Sequence, residues 1–154
     1  MQYGLGVSVG STHRNFQQGA VVRTDSALDI SIQGRGFFNI QLPNGDTAYT
    51  RDGAFQVNEN GDMVTSQGYL LDPAINIPPE AIDLNISSDG VVTATVNDNS
   101  VNLGQITTNM FINEGGLEAI GDNLYRETEA SGAAANVIAG ENGSGALLQK
   151  HLEG

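Results

Sequence analysis

The sequence has no cysteine and no tryptophan, and only six of its 154 residues are lysine or arginine. Without a thiol there is no disulfide, no zinc knuckle and no cysteine nucleophile. Six cations against 18 acids give a formal charge of −12. Such a chain has no basic footprint for nucleic acid, and an anionic membrane surface repels it. No apolar run approaches the roughly 18 residues that a membrane-spanning helix requires. Met1 to Gly10 lacks the basic start and the continuous apolar stretch of a cleavable signal peptide, and reads as a chain entered in mid-strand. Charged residues make up 16% of the chain, below the quarter or so usual in globular domains. The missing cysteines say little about compartment, because a chain of this length can hold a core without covalent staples.

What the sequence does have is glycine, 20 residues of it, and apolar residues at every second position. Leu28, Ile30 and Ile32 share one face of a strand, with Asp29, Ser31 and Gln33 on the other. Phe38, Ile40 and Leu42 repeat the pattern. Pro43-Asn44-Gly45-Asp46 and Glu59-Asn60-Gly61-Asp62 are hairpin turns, since Asn and Gly tolerate the positive φ of tight turns. Thr47–Arg51, Ala54–Asn58 and Met63–Gln67 read as strands, with Phe55 and Val57 inward. Pro73–Pro79 is an extended connection, because its prolines exclude helix. Ala81–Ser87 places Ile82, Leu84 and Ile86 on one face. Ser88-Asp89-Gly90 turns the chain into Val91–Asn97, and Asp98-Asn99 turns it again. Val101–Ile112 reads as one long strand, with Gly104 as a bulge or bend.

Past that point Gly116–Ile120 has room for one helical turn. Ala130–Gly145, rich in small and polar residues, reads as a surface excursion before the apolar tail Ala146–Glu153. The fold expected is all-β: an irregular sandwich or meander of short antiparallel strands and hairpins, with little helix, in a single domain spanning residues 1–154.

Catalytic and binding motifs fail one by one. Gly34-x-Gly36 lacks the third glycine and the helix of a dinucleotide fingerprint. Gly140 to Gly145 has phosphate-loop spacing, but Ala146 stands where a lysine is needed. His13 and His151 lie at opposite ends of the chain, with no nucleophile motif beside either. Asn58 to Asp62 and Asp98-Asn99 offer oxygen ligands without the spaced acids of a calcium loop, and turns account for them better. Asp52 and Glu118 are the carboxylates to consider for a glycosidase pair. Asp52, between Arg51 and Gly53, reads instead as half of a turn ion pair. The expectation is no enzyme, no metal and no cofactor.

Four local strings remain that hairpins alone do not demand. They are Phe16-Gln17-Gln18-Gly19, the run from Leu28-Asp29 through Gly34-Arg35-Gly36 to Phe37-Phe38, the run Tyr49-Thr50-Arg51-Asp52-Gly53-Ala54-Phe55, and Gly121-Asp122-Asn123-Leu124-Tyr125. Each has a plain physical account. Glycines turn corners, Phe38 and Phe55 fill a core, and Arg51 satisfies buried carbonyls or a carboxylate. Together and in this order they resemble the rod and hook family of bacterial flagellar axial proteins, over nearly the whole chain. The runs Pro73–Ile82 and Ile112–Gly132 resemble the distal-rod members in particular, and the proximal rod subunits fit less well. The hook member usually carries an inserted outer domain for which this chain has no room.

The resemblance implies a structural subunit that leaves the cell through the flagellar export apparatus without a cleaved signal peptide. It stacks with copies of itself into a hollow drive shaft across the periplasm, meets proximal rod and hook proteins, and turns inside the P- and L-ring bushing. It also implies terminal helices. No helical periodicity appears at either end, so the chain reads as the central β domain alone. The excess acid serves solubility first, and a low-adhesion face within the rings second. The contrasting reading is a secreted β-sandwich adhesin or carbohydrate-binding module, which the scarcity of exposed aromatics disfavours.

Overall fold

The computed structural model describes residues 21–153 apart from Asp25. Phe16, Gln18, Gly19 and His13 lie outside the described residues. The chain is all-β, and among the described residues its helical content is one 3-10 turn. The strands are β1 Val21–Arg23, β2 Ile30–Gln33, β3 Phe37–Gln41, β4 Thr47–Thr50, β5 Gln56–Val57, β6 Met63–Val64, β7 Leu70–Leu71 and β8 Ile82–Ile86. They continue as β9 Val91–Val96, β10 Asn99–Gln105, β11 Thr107–Met110, β12 Glu118–Gly121, β13 Leu124–Arg126, β14 Ala135–Ile138, β15 Ala146–Gln149 and β16 His151–Glu153.

The largest sheet runs β12-β13-β4-β3-β7-β6-β5, with β11 joining β3 to β14. A three-stranded meander, β8-β9-β10, stands apart from it, and β15 pairs with β2. Among the described residues the first and last strands, β1 and β16, pair only with each other, with Val21 opposite Glu153 and Arg23 opposite His151.

Period-2 alternation predicts which side chains go inward for most of this. Ile30, Ile32, Phe38, Ile40, Met63, Leu71, Ile75, Val92 and Ile106 form the main core with Phe55, Ile86 and Leu147. Phe37 points the other way from Phe38 and founds a second cluster with Tyr49, Phe111 and Leu117. A strand buried on both faces is the signature of a central position, and β3 is flanked by β4 on one side and by β7 and β11 on the other. The two expected hairpin turns are present. In each, the glycine donates its N–H back across the turn, Gly45 to Leu42 and Gly61 to Asn58.

Several expectations are corrected. Val57 is exposed, because β5 is a two-residue edge strand at the end of the large sheet. Ile82 is 59% exposed. The β8–β9 register slips between Ile82 and Asn85, with Asp83 at φ 54°, and the slip throws Ile82 off the face that Ile86 keeps. The β9–β10 turn is centred on Asn97-Asp98, both at positive φ as a type I′ turn requires, one residue earlier than expected. Val101–Ile112 is two strands. The chain breaks at Ile106, whose N–H is taken by the Gly90 carbonyl at 2.7 Å, and β10 and β11 enter different sheets. The bulge at Gly104 is present, as a register shift between Asn102 and Gly104.

The helical turn falls at Glu114–Gly116, and Glu118–Gly121 is strand. The segment 130–145 is no plain excursion, since β14 within it supplies the partner that β11 needs along its second edge. The apolar tail is likewise spent on sheet, as β15 and β16.

Candidate functional site

Two of the described strings, Leu28–Phe38 and Tyr49–Phe55, meet at one corner of the molecule, and Gly121–Tyr125 frames it from the other side of β4. β2 ends at Gln33, and the Gly34-Arg35-Gly36 corner carries the chain from the sheet of β2 into that of β3. Gly34 and Gly36 both sit at φ 134°, in the region that L side chains avoid. A Cβ on Gly36 would also lie 3.3 Å from the Thr108 hydroxyl. The corner therefore turns tightly only because neither residue carries a side chain.

Arg51, just past the end of β4, points into this corner. One guanidinium nitrogen donates to the Gly34 and Gly36 carbonyls, at 2.6 and 2.8 Å. The second donates to the Ile32 carbonyl at 3.1 Å. The outer edge of the fork engages the Glu153 carboxylate in a bidentate pair, Nε to Oε1 at 3.1 Å and Nη2 to Oε2 at 2.9 Å. Both side chains are nearly buried, at 12% and 14% exposure. A planar fork with five donors suits this task, which a lysine's single ammonium does not. Arg51 satisfies three carbonyls that the corner takes out of the ladder, and it ties them to the last described strand.

Asp52 is not the partner of Arg51. Its Oδ1 accepts the Ala54 N–H at 3.1 Å, and its own N–H goes to the Thr50 hydroxyl at 3.0 Å. The Arg51-Asp52 turn ion pair is thereby corrected. The acid shapes the turn, and the cation reaches 102 residues along the chain. Glu118, the other carboxylate considered, is engaged elsewhere. It forms an exposed pair with Arg126 at 2.8 Å, and its hydrogen bond and charge hold the Arg126 pKa above its ordinary value.

Gly53 lies against β2. Its carbonyl accepts the Ile30 N–H at 3.0 Å, and Phe55 N–H donates to the Leu28 carbonyl at 3.2 Å, with Asp29 bridging Ala54 between them. A Cβ on Gly53 would fall 1.6 Å from the Ile30 carbonyl oxygen. This glycine is needed for the closeness of two backbones, not for its φ. The pairing sets Phe55 edge-on to Phe38, ring centroids 5.1 Å apart.

The fourth string closes the other side. Tyr125 pairs with Tyr49 between β13 and β4, and the Thr50 hydroxyl donates to the Asn123 carbonyl at 2.8 Å. Gly121, Asp122 and Asn123 all take positive φ, which turns β12 tightly into β13 and buries Leu124. Phe37 packs edge-on against both Phe111 and Tyr125, and Tyr49 packs against Phe111 at 4.9 Å. Burial, with smaller effects from Glu127 and Asp72, pushes the Tyr49 phenol up from its usual value.

Of the expected site residues, Leu28, Asp29, Gly34, Gly36, Phe37, Phe38, Tyr49, Thr50, Arg51, Asp52, Gly53, Phe55, Gly121, Asn123, Leu124 and Tyr125 lie around this corner or on the strands that frame it. Glu153, Phe111 and Gln149 escape the sequence reading. Gln149 takes the Ile86 N–H on its carbonyl and donates to the Ala27 and Leu84 carbonyls, which fastens β8 beside β15. Nothing local distinguishes a glutamate or glutamine at the end of an alternating tail, so its distant partner is not legible there. The loop Asn58 to Asp62 uses the side-chain Oδ1 of Asn58 for the N–H groups of Asn60 and Asp62, at 2.9 and 3.0 Å, so that oxygen is spent on the turn.

Aromatics, glycines, short polar side chains and one arginine engaged with carbonyls and a carboxylate hold this corner in shape, and the first and last described strands lie side by side. The chain is similar to members of the flagellar rod and hook family. Residues 31–94 match the flagellar hook protein FlgE/F/G D1 domain. It is 46% identical to the flagellar basal-body rod protein FlgG of Buchnera aphidicola subsp. Schizaphis graminum, over 99% of this chain and 60% of that protein. It is 50% identical to the FlgG of Caulobacter vibrioides, over 99% of this chain and 59% of that one. The flagellar basal-body rod protein FlgF of Caulobacter vibrioides is 36% identical over 75% of this chain and 46% of its own length. The chain thus spans about three-fifths of the FlgG relatives named here.

Proposed function

We propose that this chain is the β body of a structural subunit of the flagellar basal-body rod, in its distal section. Copies stack helically into a hollow shaft that carries torque from motor to hook. The observation that carries the reading is the similarity to proteins named FlgG over 99% of the chain. The geometry supports it. A body closed on itself by β1 and β16 brings its first and last described strands to one place, as a domain mounted on a continuous stem requires.

Under this reading the molecule works by assembly and not by catalysis, and residues 1–154 are one β domain of a longer subunit whose terminal helices line the shaft. The signature residues from Leu28 to Tyr125 keep the body rigid. Its partners are other copies of itself, the neighbouring proximal rod and hook proteins, the P- and L-ring bushing and the flagellar export apparatus. It crosses the periplasm, reached without a cleavable signal peptide.

Deletion of the gene tests this. The expected result is loss of swimming, with isolated basal bodies ending in a shortened rod under the electron microscope and both defects repaired by the gene in trans. Swimming cells with full-length rods after deletion refute the proposal.

A further inference from the structure

Among the described residues the ribbon of β1 and β16 is paired with no other strand, and β16 lies beside β2. Two sets of hydrogen bonds among the described residues tie it to the body. The Asp29 carbonyl accepts the N–H groups of Lys150 and His151, at 2.6 and 3.3 Å, where the ribbon begins. Two residues further along, Glu153 is held by Arg51. One main-chain attachment alone leaves a two-stranded ribbon free to pivot about it, since an isolated hairpin-like pair has little rigidity of its own. The second attachment, displaced along β16, removes the pivot. It is bidentate and nearly buried, and it is anchored through Arg51 to the Ile32, Gly34 and Gly36 carbonyls on a corner that cannot itself flex without breaking three hydrogen bonds.

The geometry points to Arg51 and Glu153 as a latch that sets the direction of the β1–β16 ribbon relative to the β body. The inference rests on the proposed rod function for its purpose. In a shaft, torque passes between the stem and the bodies around it, and a ribbon that pivots would absorb rotation in place of passing it on. Arg51 and Glu153 are positioning residues, acting on the direction of β1 and β16. The same pair explains why an arginine stands between Thr50 and Asp52. The turn itself uses only Thr50 and Asp52, and the side chain of Arg51 is free to reach elsewhere.

Glu153→Gln is the clean perturbation, because it leaves Arg51 its three carbonyl acceptors and the corner intact. Arg51→Lys is the second, retaining charge but losing the fork. Hydrogen exchange of the native subunit gives the readout. The expected result is that amides of Val21–Arg23 and His151–Glu153 exchange about tenfold faster or more in both variants, while those of β3, β4 and β9 keep their protection. Unchanged exchange in the ribbon overturns the latch. So does faster exchange by the same factor in ribbon and core, which is a general loss of stability. In cells, Glu153→Gln is expected to give rods of normal length with a swimming speed that falls more steeply than the parent's as medium viscosity rises. Equal speeds at every viscosity overturn the mechanical role. The two proposals separate cleanly: if deletion leaves rods intact the rod function fails, and if deletion abolishes rods but Glu153→Gln changes neither exchange nor load response, only the latch fails.

Discussion

Gly53→Ala is expected to be among the costliest single-methyl additions available in this molecule. The added Cβ would sit 1.6 Å from the Ile30 carbonyl oxygen and 2.7 Å from its carbon. Ordinary contact needs about 3.4 Å or more, so the two backbones must part by well over an ångström. That separation breaks the Ile30-to-Gly53 and Phe55-to-Leu28 hydrogen bonds, now 3.0 and 3.2 Å long. Two backbone bonds opened beside a buried strand cost about 2–5 kcal/mol together, and drawing Phe55 off the edge of Phe38 adds about 1 kcal/mol. The sum, about 3–6 kcal/mol, is a large part of the 5–15 kcal/mol that typically holds a domain folded.

Urea unfolding followed by far-ultraviolet circular dichroism measures it, with Gly45→Ala as the comparison. Gly45 also has positive φ, at 92°, but no atom lies within 4 Å of its Cβ position. Its cost should be about 1 kcal/mol, from conformation alone. If Gly53→Ala costs no more than Gly45→Ala, the close-approach argument is wrong.

Other substitutions test neighbouring contacts. Phe38→Ala removes a fully buried ring from the main core and should cost about 3–5 kcal/mol in the same assay. Thr50→Val deletes the hydroxyl bonded to the Asn123 carbonyl and to Asp52 N–H, and a loss of about 1–3 kcal/mol is expected. Gln149→Ala leaves Ile86 N–H and two carbonyls without their partner, so β8 amides should lose exchange protection before those of β3. Tyr49 has a phenol pKa raised by folding, so its neutral form is favoured in the native state. Its contribution is complete below the unfolded value of about 10 and is lost as pH rises through the folded value. The parent should therefore lose stability above pH 10 more steeply than Tyr49→Phe, and parallel curves would refute this.

Local pattern was legible wherever one face of a strand is buried, because alternation then records the burial directly, as at Ile30, Ile32, Phe38 and Ile40. It failed where pairing is irregular. At Ile82 the register slip breaks the period of two, and at Ile106 a single hydrogen bond to Gly90 divides a run that reads as continuous. Segment 130–145 was misread because small residues suit a paired strand as well as a loop when their neighbour, β11, supplies the partners. At the site, Gly34, Gly36 and Gly53 were visible as glycines, but the reason for Gly53 is a close approach by β2 that no local string encodes. The role of Arg51 toward carbonyls and a carboxylate was legible in kind. The choice of Glu153 over Asp52 was not, since adjacency in sequence says little about which acid the fork can reach with both nitrogens.

The pairing of β1 with β16 also has a kinetic side. Val21 and Glu153 are opposite one another although they lie at the two ends of the described chain, and β15, immediately before β16, completes the edge of β2. Contacts so distant in sequence form late and slowly, because the loop between them must be ordered before they return any energy. β1 and β2 both take partners from residues 146–153, so these pairings are expected to close the body late in folding, and loss of residues 146–153 is expected to leave both strands without those partners.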